Sequence, residues 1–261
     1  MNHLTETPIS VRLIANAGIL VEYRGLRFLI DGIHTNDNLD FDGVPEQLLG
    51  TMLRGDGALS HLDYLLFTHE HIDHFSPSCT QIYLQNNRVK GIFMPASGGR
   101  RLADLQEYTE LAGIPCHRLQ LVSGTTKSFP LTADTTVTAA GFRHMGDQFR
   151  EKENDCFLLS LGDQNLLFTG DADLDLGHFQ SAFAGKSIEL MLVNPLFYLD
   201  KRAAAIFAAL SPRQVAVYHL PVETNGPTVY QRAVLRDAQR NAPLPYKLTL
   251  FTQFDQTIVL S

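Results

Sequence analysis

The feature that most constrains this chain is a junction. The apolar run Tyr64-Leu65-Leu66-Phe67-Thr68 passes directly into His69-Glu70-His71-Ile72-Asp73-His74. A continuous apolar run of this length reads as a strand buried on both faces. The six positions behind it hold three histidines, a glutamate and an aspartate, and imidazole and carboxylate are the ligands that borderline divalent metals such as zinc take up. Histidines two apart at the end of a strand project to the same side, so His69 and His71 can share one ion. Asp73 and His74 come one turn further on, at the approach to Ser76-Pro77, where they can reach a second. The plain alternative is a solvated loop that happens to be rich in histidine, and the density of donors directly behind a buried strand speaks against it.

The rest of the chain alternates strand and helix signals. Strands are predicted at 10–16, 19–23, 26–30, 64–68, 91–95, 135–142, 156–161, 166–169, 190–194 and 214–218. Arg24-Gly25 reads as a hairpin turn, and 247–251 with 257–260 read as a closing strand pair. Helices are predicted near 45–53, from the Ser76 cap and Pro77 to about Gln85, and at 100–111, 173–184, 200–210 and 227–240. Strands outnumber helices and the helices are spread among them, which predicts one α/β domain over 1–261 with two sheets and helices outside. With 44% hydrophobic and 19% charged residues, the chain can bury a full core. The connection 32–62 is long enough to serve as a lid or binding loop. Leu-Leu-Phe-Thr occurs at 65–68 and again at 166–169, either as a coincidence of four common strand residues or because two equivalent halves each deliver ligands from the end of a buried strand.

The bulk properties restrict partners and compartment. A net charge of −7 tilts away from a nucleic-acid backbone as the main partner. Cys79, Cys116 and Cys156 form no C-x-x-C pair, which reads as buried thiols in a reducing compartment. The first residues show no leader pattern, and no apolar run approaches the ~20 residues of a membrane span. The expectation is a cytoplasmic protein that acts on a small molecule, with no membrane partner.

Two metals need more than four ligands, and three further donors follow strands. His144 comes after 135–142, Asp171 after the second Leu-Leu-Phe-Thr in Thr169-Gly170-Asp171, and His219 after 214–218. Strand C-termini are where α/β proteins gather binding groups. Any one of the three alone reads as a capping or core residue. With the first cluster they make five histidines and two aspartates, enough for two ions.

The pattern Thr68-His69-x-His71-x-Asp73-His74 resembles the signature motif of the metallo-β-lactamase superfamily. The order of the other pieces is similar too: Leu29-Ile30-Asp31-Gly32, a later lone histidine, a Thr-Gly-Asp turn and a strand-end histidine. The resemblance implies the four-layer αβ/βα sandwich, with two mixed sheets and helices outside. It implies that His69, His71 and His144 hold one metal, that Asp73, His74 and His219 hold the other, and that Asp171 bridges them. Asp31 would then orient a ligand from behind. Zinc suits these donors best, with manganese or iron as alternatives.

By the same resemblance the activity is a two-metal hydrolase that uses a metal-bridging hydroxide, with Asp73 orienting it or accepting its proton. His34, His178, Tyr198 and Tyr218 are candidates for protonating the leaving group or binding substrate. Asp171 stands where the true β-lactamases usually carry another ligand arrangement, which tilts the reading toward a small ester, lactone or phosphoester. The opening Asn16-Ala17-Gly18-Ile19-Leu20-Val21-Glu22 is similar to that of the ascorbate-phosphate-lactonase-like branch, and Arg143, Arg150 and Lys152 near His144 could bind a phosphate. The competing reading is a metal-binding sensor or partner-recruiting module without turnover.

Overall fold

The structure, a computed structural model, describes residues 7–35, 42–97, 99–221 and 228–261. Part of the predicted binding loop (36–41), the start of the 227–240 helix and most of the segment read for a leader lie outside the described residues.

Two seven-stranded sheets form the centre. The first runs β14 (Thr257–Leu260), β1 (Ile9–Leu13), β2 (Ile19–Tyr23), β3 (Leu26–Ile30), β4 (Tyr64–Leu66), β5 (Gly91–Pro95), β6 (Cys116–Leu119). The second runs β13 (Lys247–Leu250), β12 (Gln214–Val217), β11 (Ile188–Val193), β10 (Gln164–Phe168), β9 (Glu153–Leu161), β8 (Thr135–Arg143), β7 (Thr126–Pro130). Alternation along each strand decides the packing. Phe28, Ile30 and Leu66 from one sheet meet Phe157, Leu166 and Phe168 from the other in a core between the sheets. The opposite faces are covered by helices. Helices α1 (Glu46–Leu53), α2 (Pro77–Asn86) and α3 (Arg100–Leu111) bury Met52, Tyr83 and Leu105 against Leu29 and Leu65. Helices α4 (Leu176–Phe183), α5 (Pro195–Leu199), α6 (Ala203–Leu210) and α7 (Val229–Arg240) bury Phe179, Phe197, Ile206 and Val234 against Leu167 and Met191. The architecture is the αβ/βα sandwich. No helix among the described residues is long and apolar enough to cross a membrane.

Local signals explain several boundaries. Arg24 and Gly25 both take positive φ, 47° and 80°, the conformation that joins tightly paired strands. Ser76 accepts a hydrogen bond from the Cys79 N–H and places Pro77 in the first helical turn of α2.

Three expectations are corrected. The two closing strands do not pair with each other: β13 lies parallel to β12 in one sheet, and β14 lies antiparallel to β1 in the other. Strand alternation marks a half-buried strand but not its neighbour. The predicted 200–210 helix is a shorter α6 preceded by the separate turn α5, which begins at the Asn194 cap and Pro195. Strands β6 and β7 lack a clean apolar pattern because they sit at sheet edges, and sequence reading passes over them.

The tetrapeptide repeat is also not an echo of internal symmetry. Each half has antiparallel strands followed by parallel ones, and the switch comes after β3 in the first sheet and after β10 in the second. Strand β10 therefore corresponds to β3. Facing agrees with this: Phe28 and Ile30 point between the sheets with Leu29 outward, as Leu166 and Phe168 do with Leu167 outward. Leu65, by contrast, points outward where Leu166 points inward.

Candidate metal centre

The C-terminal ends of β3, β4, β8, β10 and β12 deliver Asp31, His69, His144, Asp171 and His219 to one place, and the loop after β4 adds His71, Asp73 and His74. Three sets of donor atoms lie within 4.8 Å of one another: His69, His71 and His144; His69, His74 and Asp171; and Asp73, His74 and His219. The sets share His69 and His74, so they form one continuous cluster. The Asp171 Oδ2 lies 3.4 Å from His144 Nε2, 3.6 Å from His74 Nε2 and 3.9 Å from His69 Nε2. The Asp73 Oδ2 lies 3.5 Å from His219 Nε2.

The nitrogens that face inward suit metal ions. Each imidazole has one nitrogen that can donate and one that can accept when neutral. His69 Nδ1 is 2.9 Å from Thr68 Oγ1, which itself donates to Asp31 Oδ2 at 2.6 Å. His74 Nδ1 is 2.9 Å from Asp31 Oδ2, and His144 Nδ1 is 2.6 Å from the Met145 carbonyl. With these oxygens as acceptors at Nδ1, the Nε2 atoms of His69, His74 and His144 are turned into the cluster, where each offers a lone pair when its ring is neutral. His144 Nε2 is buried and has no hydrogen-bond partner. His69 Nε2 and His71 Nδ1 stand 3.2 Å apart, and His74 Nε2 and His219 Nε2 2.9 Å apart. Converging imidazole nitrogens and carboxylate oxygens of this kind are the donors that divalent metal ions take, and the residues present fit such a metal.

The electrostatics agree. Burial, reinforced by His74, holds the His69 imidazole well below its ordinary pKa, and burial with His144 beside it pushes His71 down to about 4. Burial opposes ionisation of Asp171, but His74 and His144 hold its carboxyl well below the usual range. Asp73 is likewise held low by His219 and His74 against its burial. His74 alone is raised, because Asp171 and Asp31 outweigh its burial; this is the response of a buried site to two carboxylates that a metal would otherwise neutralise.

Supporting amides hold the carboxylate between the two halves. Asn194 Nδ2 donates to Asp171 Oδ1 at 2.7 Å, and the Asp171 N–H donates to Asn154 Oδ1 at 2.9 Å. Sequence reading misses both. The Asn194-Pro195 pair signals only a helix cap, which Asn194 also is. Gly170 brings Asp171 into place at φ +54°, where an added Cβ would stand 2.6 Å from Asn154 Oδ1 and 2.8 Å from Thr68 Cβ. Gly170→Ala is therefore expected to cost roughly 1–3 kcal/mol, read as a lower thermal midpoint; an unchanged midpoint contradicts the packing account.

The four proton-donor candidates separate. His34 is fully buried, its Nε2 has no partner, and burial with His74 nearby pushes it down to about 4. It lies within electrostatic reach of Asp73 and His219. Tyr218 is fully buried in the inter-sheet core beside His219, and burial together with the Asp31 and Asp171 charges raises it. The structure does not bring the other two to the cluster. His178 contacts Asp175 and Phe142 on the helix-covered side, and Tyr198 packs against Phe207 in the helix-side core. Both sit on α4 and α5, whose inner faces pack on the outer face of the sheet.

A cavity of about 490 Å³ opens onto His71, Asp73, His144 and Asp171 and has Ile72, Met145, Phe149 and Leu196 in its walls. At its rim Glu70 and Lys152 form an ion pair. A second cavity of about 570 Å³ shares His144 and is lined by Arg143, Arg150 and Arg202 with Asp147 and Asp173. Arg150 is paired with Asp147 at 2.9 Å and Arg202 with Asp200 at 2.9 Å.

A domain model described as the beta-lactamase superfamily domain matches residues 37–225. The chain belongs to that family, the metallo-β-lactamase superfamily, and has its fold. No curated protein matches it in sequence. Solved structures share the fold at low identity. CmlA, a diiron beta-hydroxylase from Streptomyces venezuelae, is 18% identical with a TM-score of 0.62 over 97% of this chain, which spans 54% of that one. The isothiocyanate hydrolase from Delia radicum gut bacteria is 14% identical with a TM-score of 0.61, over 95% of this chain and 98% of that one. Igni18, a metallo hydrolase from Ignicoccus hospitalis, is 13% identical with a TM-score of 0.60, over 98% and 99%.

Proposed function

We propose that this protein is a two-metal hydrolase, with a zinc pair the first expectation, that cleaves a small ester, lactone or phosphoester. The observation that carries this reading is the continuity of the donor sets, with Asp171 Oδ2 facing three imidazoles at once. His69, His71 and His144 would hold one ion, Asp73, His74 and His219 the other, and Asp171 both. Bound there, two such ions supply Lewis acidity to the oxygen under attack and lower the pKa of water toward neutrality. Asp73, whose carboxyl His219 and His74 hold low and which lines the open cavity, would orient the attacking water or take its proton. The apolar walls formed by Ile72, Met145, Phe149 and Leu196 would hold the uncharged part of a substrate beside the cluster and exclude bulk water.

Metal analysis for zinc, manganese and iron, with a panel of ester, lactone, thioester and bis-phosphodiester substrates, tests this. Iron belongs in the analysis because CmlA, on the same fold, is a diiron enzyme. Two ions per chain and turnover of one substrate class are expected, with Asp73→Asn lowering turnover by about 10²–10⁴-fold. Two ions with no turnover on the panel would instead favour the sensor or recruiting module. Fewer than one ion under metal-replete conditions would sink the site assignment.

A further inference from the structure

We propose that Asn16 is a positioning residue for His219: its side-chain carbonyl accepts the His219 Nδ1–H and so fixes the ring tautomer whose Nε2 lone pair faces Asp73 and His74. This rests on the reading of His219 as a metal ligand.

Asn16 lies in the turn between β1 and β2, in the first sheet, whereas His219 follows β12 in the second. The turn is closed by the Ile14 N–H donating to the Gly18 carbonyl at 2.9 Å. Gly18 packs so closely that an added Cβ would stand 2.8 Å from Ala15 Cβ and 3.0 Å from Gly32 Cα. The position of Asn16 is thereby set before it meets its partner. Asn16 is fully buried and grips His219 twice: the His219 N–H donates to the Asn16 backbone carbonyl at 2.9 Å, and the side-chain amide, placed with Nδ2 toward the ring, stands 2.9 Å from His219 Nδ1. His219 takes φ +57°, a left-handed conformation that non-glycine residues rarely adopt. The backbone contact holds it there, and the conformation aims the ring at the cluster.

The two ends of an amide are nearly the same in shape, so its orientation follows from its hydrogen-bond partners. Oδ1, at the other end as placed, is buried and has no partner, so turning the amide over breaks no other hydrogen bond and puts the oxygen against His219 Nδ1. A ring that offers Nε2 to a metal carries its hydrogen on Nδ1 and needs an acceptor there. Of the two ends of the Asn16 amide, the carbonyl supplies one. Asn16 is then to His219 what Asp31 is to His74, reached from the opposite sheet.

The test uses the whole chain loaded with zinc. Chelator competition should resolve two dissociation constants in the wild type. Asn16→Leu, of similar size and without an acceptor, is expected to weaken one ion by about 10–100-fold and leave the other unchanged. Asn16→Asp, which keeps an acceptor at the same reach, is expected to restore the weakened ion. His219→Ala serves as the control and should lose the same ion. If His219→Ala keeps both ions, the ligand reading of His219 fails. If it loses one while Asn16→Leu keeps both, or while Asn16→Asp behaves as Asn16→Leu, the Asn16 proposal is overturned and the ligand reading stands. Should the leucine variant not fold, ¹⁵N shifts of the zinc-loaded wild type decide: a His219 hydrogen on Nδ1 supports the proposal, and one on Nε2 overturns it.

Discussion

Asp171→Ala is expected to strip the protein of at least one ion and lower turnover by about 10³-fold or more. The carboxylate stands opposite His69, His74 and His144 together. On the proposed two-metal reading, its removal would take away both a shared anionic ligand and the charge that offsets two cations in a buried pocket. Stabilisation of several kcal/mol by the ions translates at 1.36 kcal/mol per factor of ten into that range. Asn154 and Asn194, which hold Asp171 in place, would lose their partner as well. Metal content and initial rates measure the effect. A variant that keeps two ions and rates within tenfold of the wild type would show that Asp171 does not bridge.

Asp155→Asn is expected to stabilise the fold at neutral pH. Asp155 faces the inter-sheet side of β9 next to Phe157, and its N–H donates to the Thr68 carbonyl at 2.8 Å. Burial, with the Glu153 carboxylate near it, pushes its carboxyl up from the ordinary 3.8 to about 8. The sign follows from proton uptake. Between these two values the folded chain keeps the proton and the unfolded chain has lost it, so this group's contribution is fully present below the ordinary value and falls as pH rises through the window. The loss is about 1.4 kcal/mol per pH unit. Asparagine keeps the shape and does not titrate. The advantage of Asp155→Asn over the wild type in denaturant unfolding should therefore grow by roughly 3 kcal/mol from pH 5.5 to 7.5. A difference that stays flat across this range would show that Asp155 is ionised in the folded protein.

Legibility of the site follows from how far apart in the chain its members are. His69, His71, Asp73 and His74 stand within six residues behind a buried strand, so density and spacing alone point to metal chemistry. His144, Asp171 and His219 carry only a strand-end position, and the order of the superfamily's motifs brings them into the set. Asn16, Asn154 and Asn194 carry no signal of a role at the site, because an asparagine's partner stands on another strand, for Asn154 and Asn194 in the same sheet and for Asn16 in the other. His178 and Tyr198 look like site residues in a line of letters, yet strand and helix facing turns them to the wrong side.

What the sequence by itself determined is the alternation of buried strands and amphipathic helices, the loop after β4 rich in histidine and carboxylate donors, and the class of chemistry those donors allow. These are local properties, set by hydrophobic period and by donor type within a few residues. What only the tertiary structure decided is pairing. It put β13 and β14 in different sheets, made β10 the counterpart of β3 in spite of the tetrapeptide it shares with β4, and set Asn16 against His219 across 203 positions of chain. A strand's own residues specify which face is buried but not which neighbour completes its hydrogen bonds, and that choice is made by the packing of the two sheets as a whole.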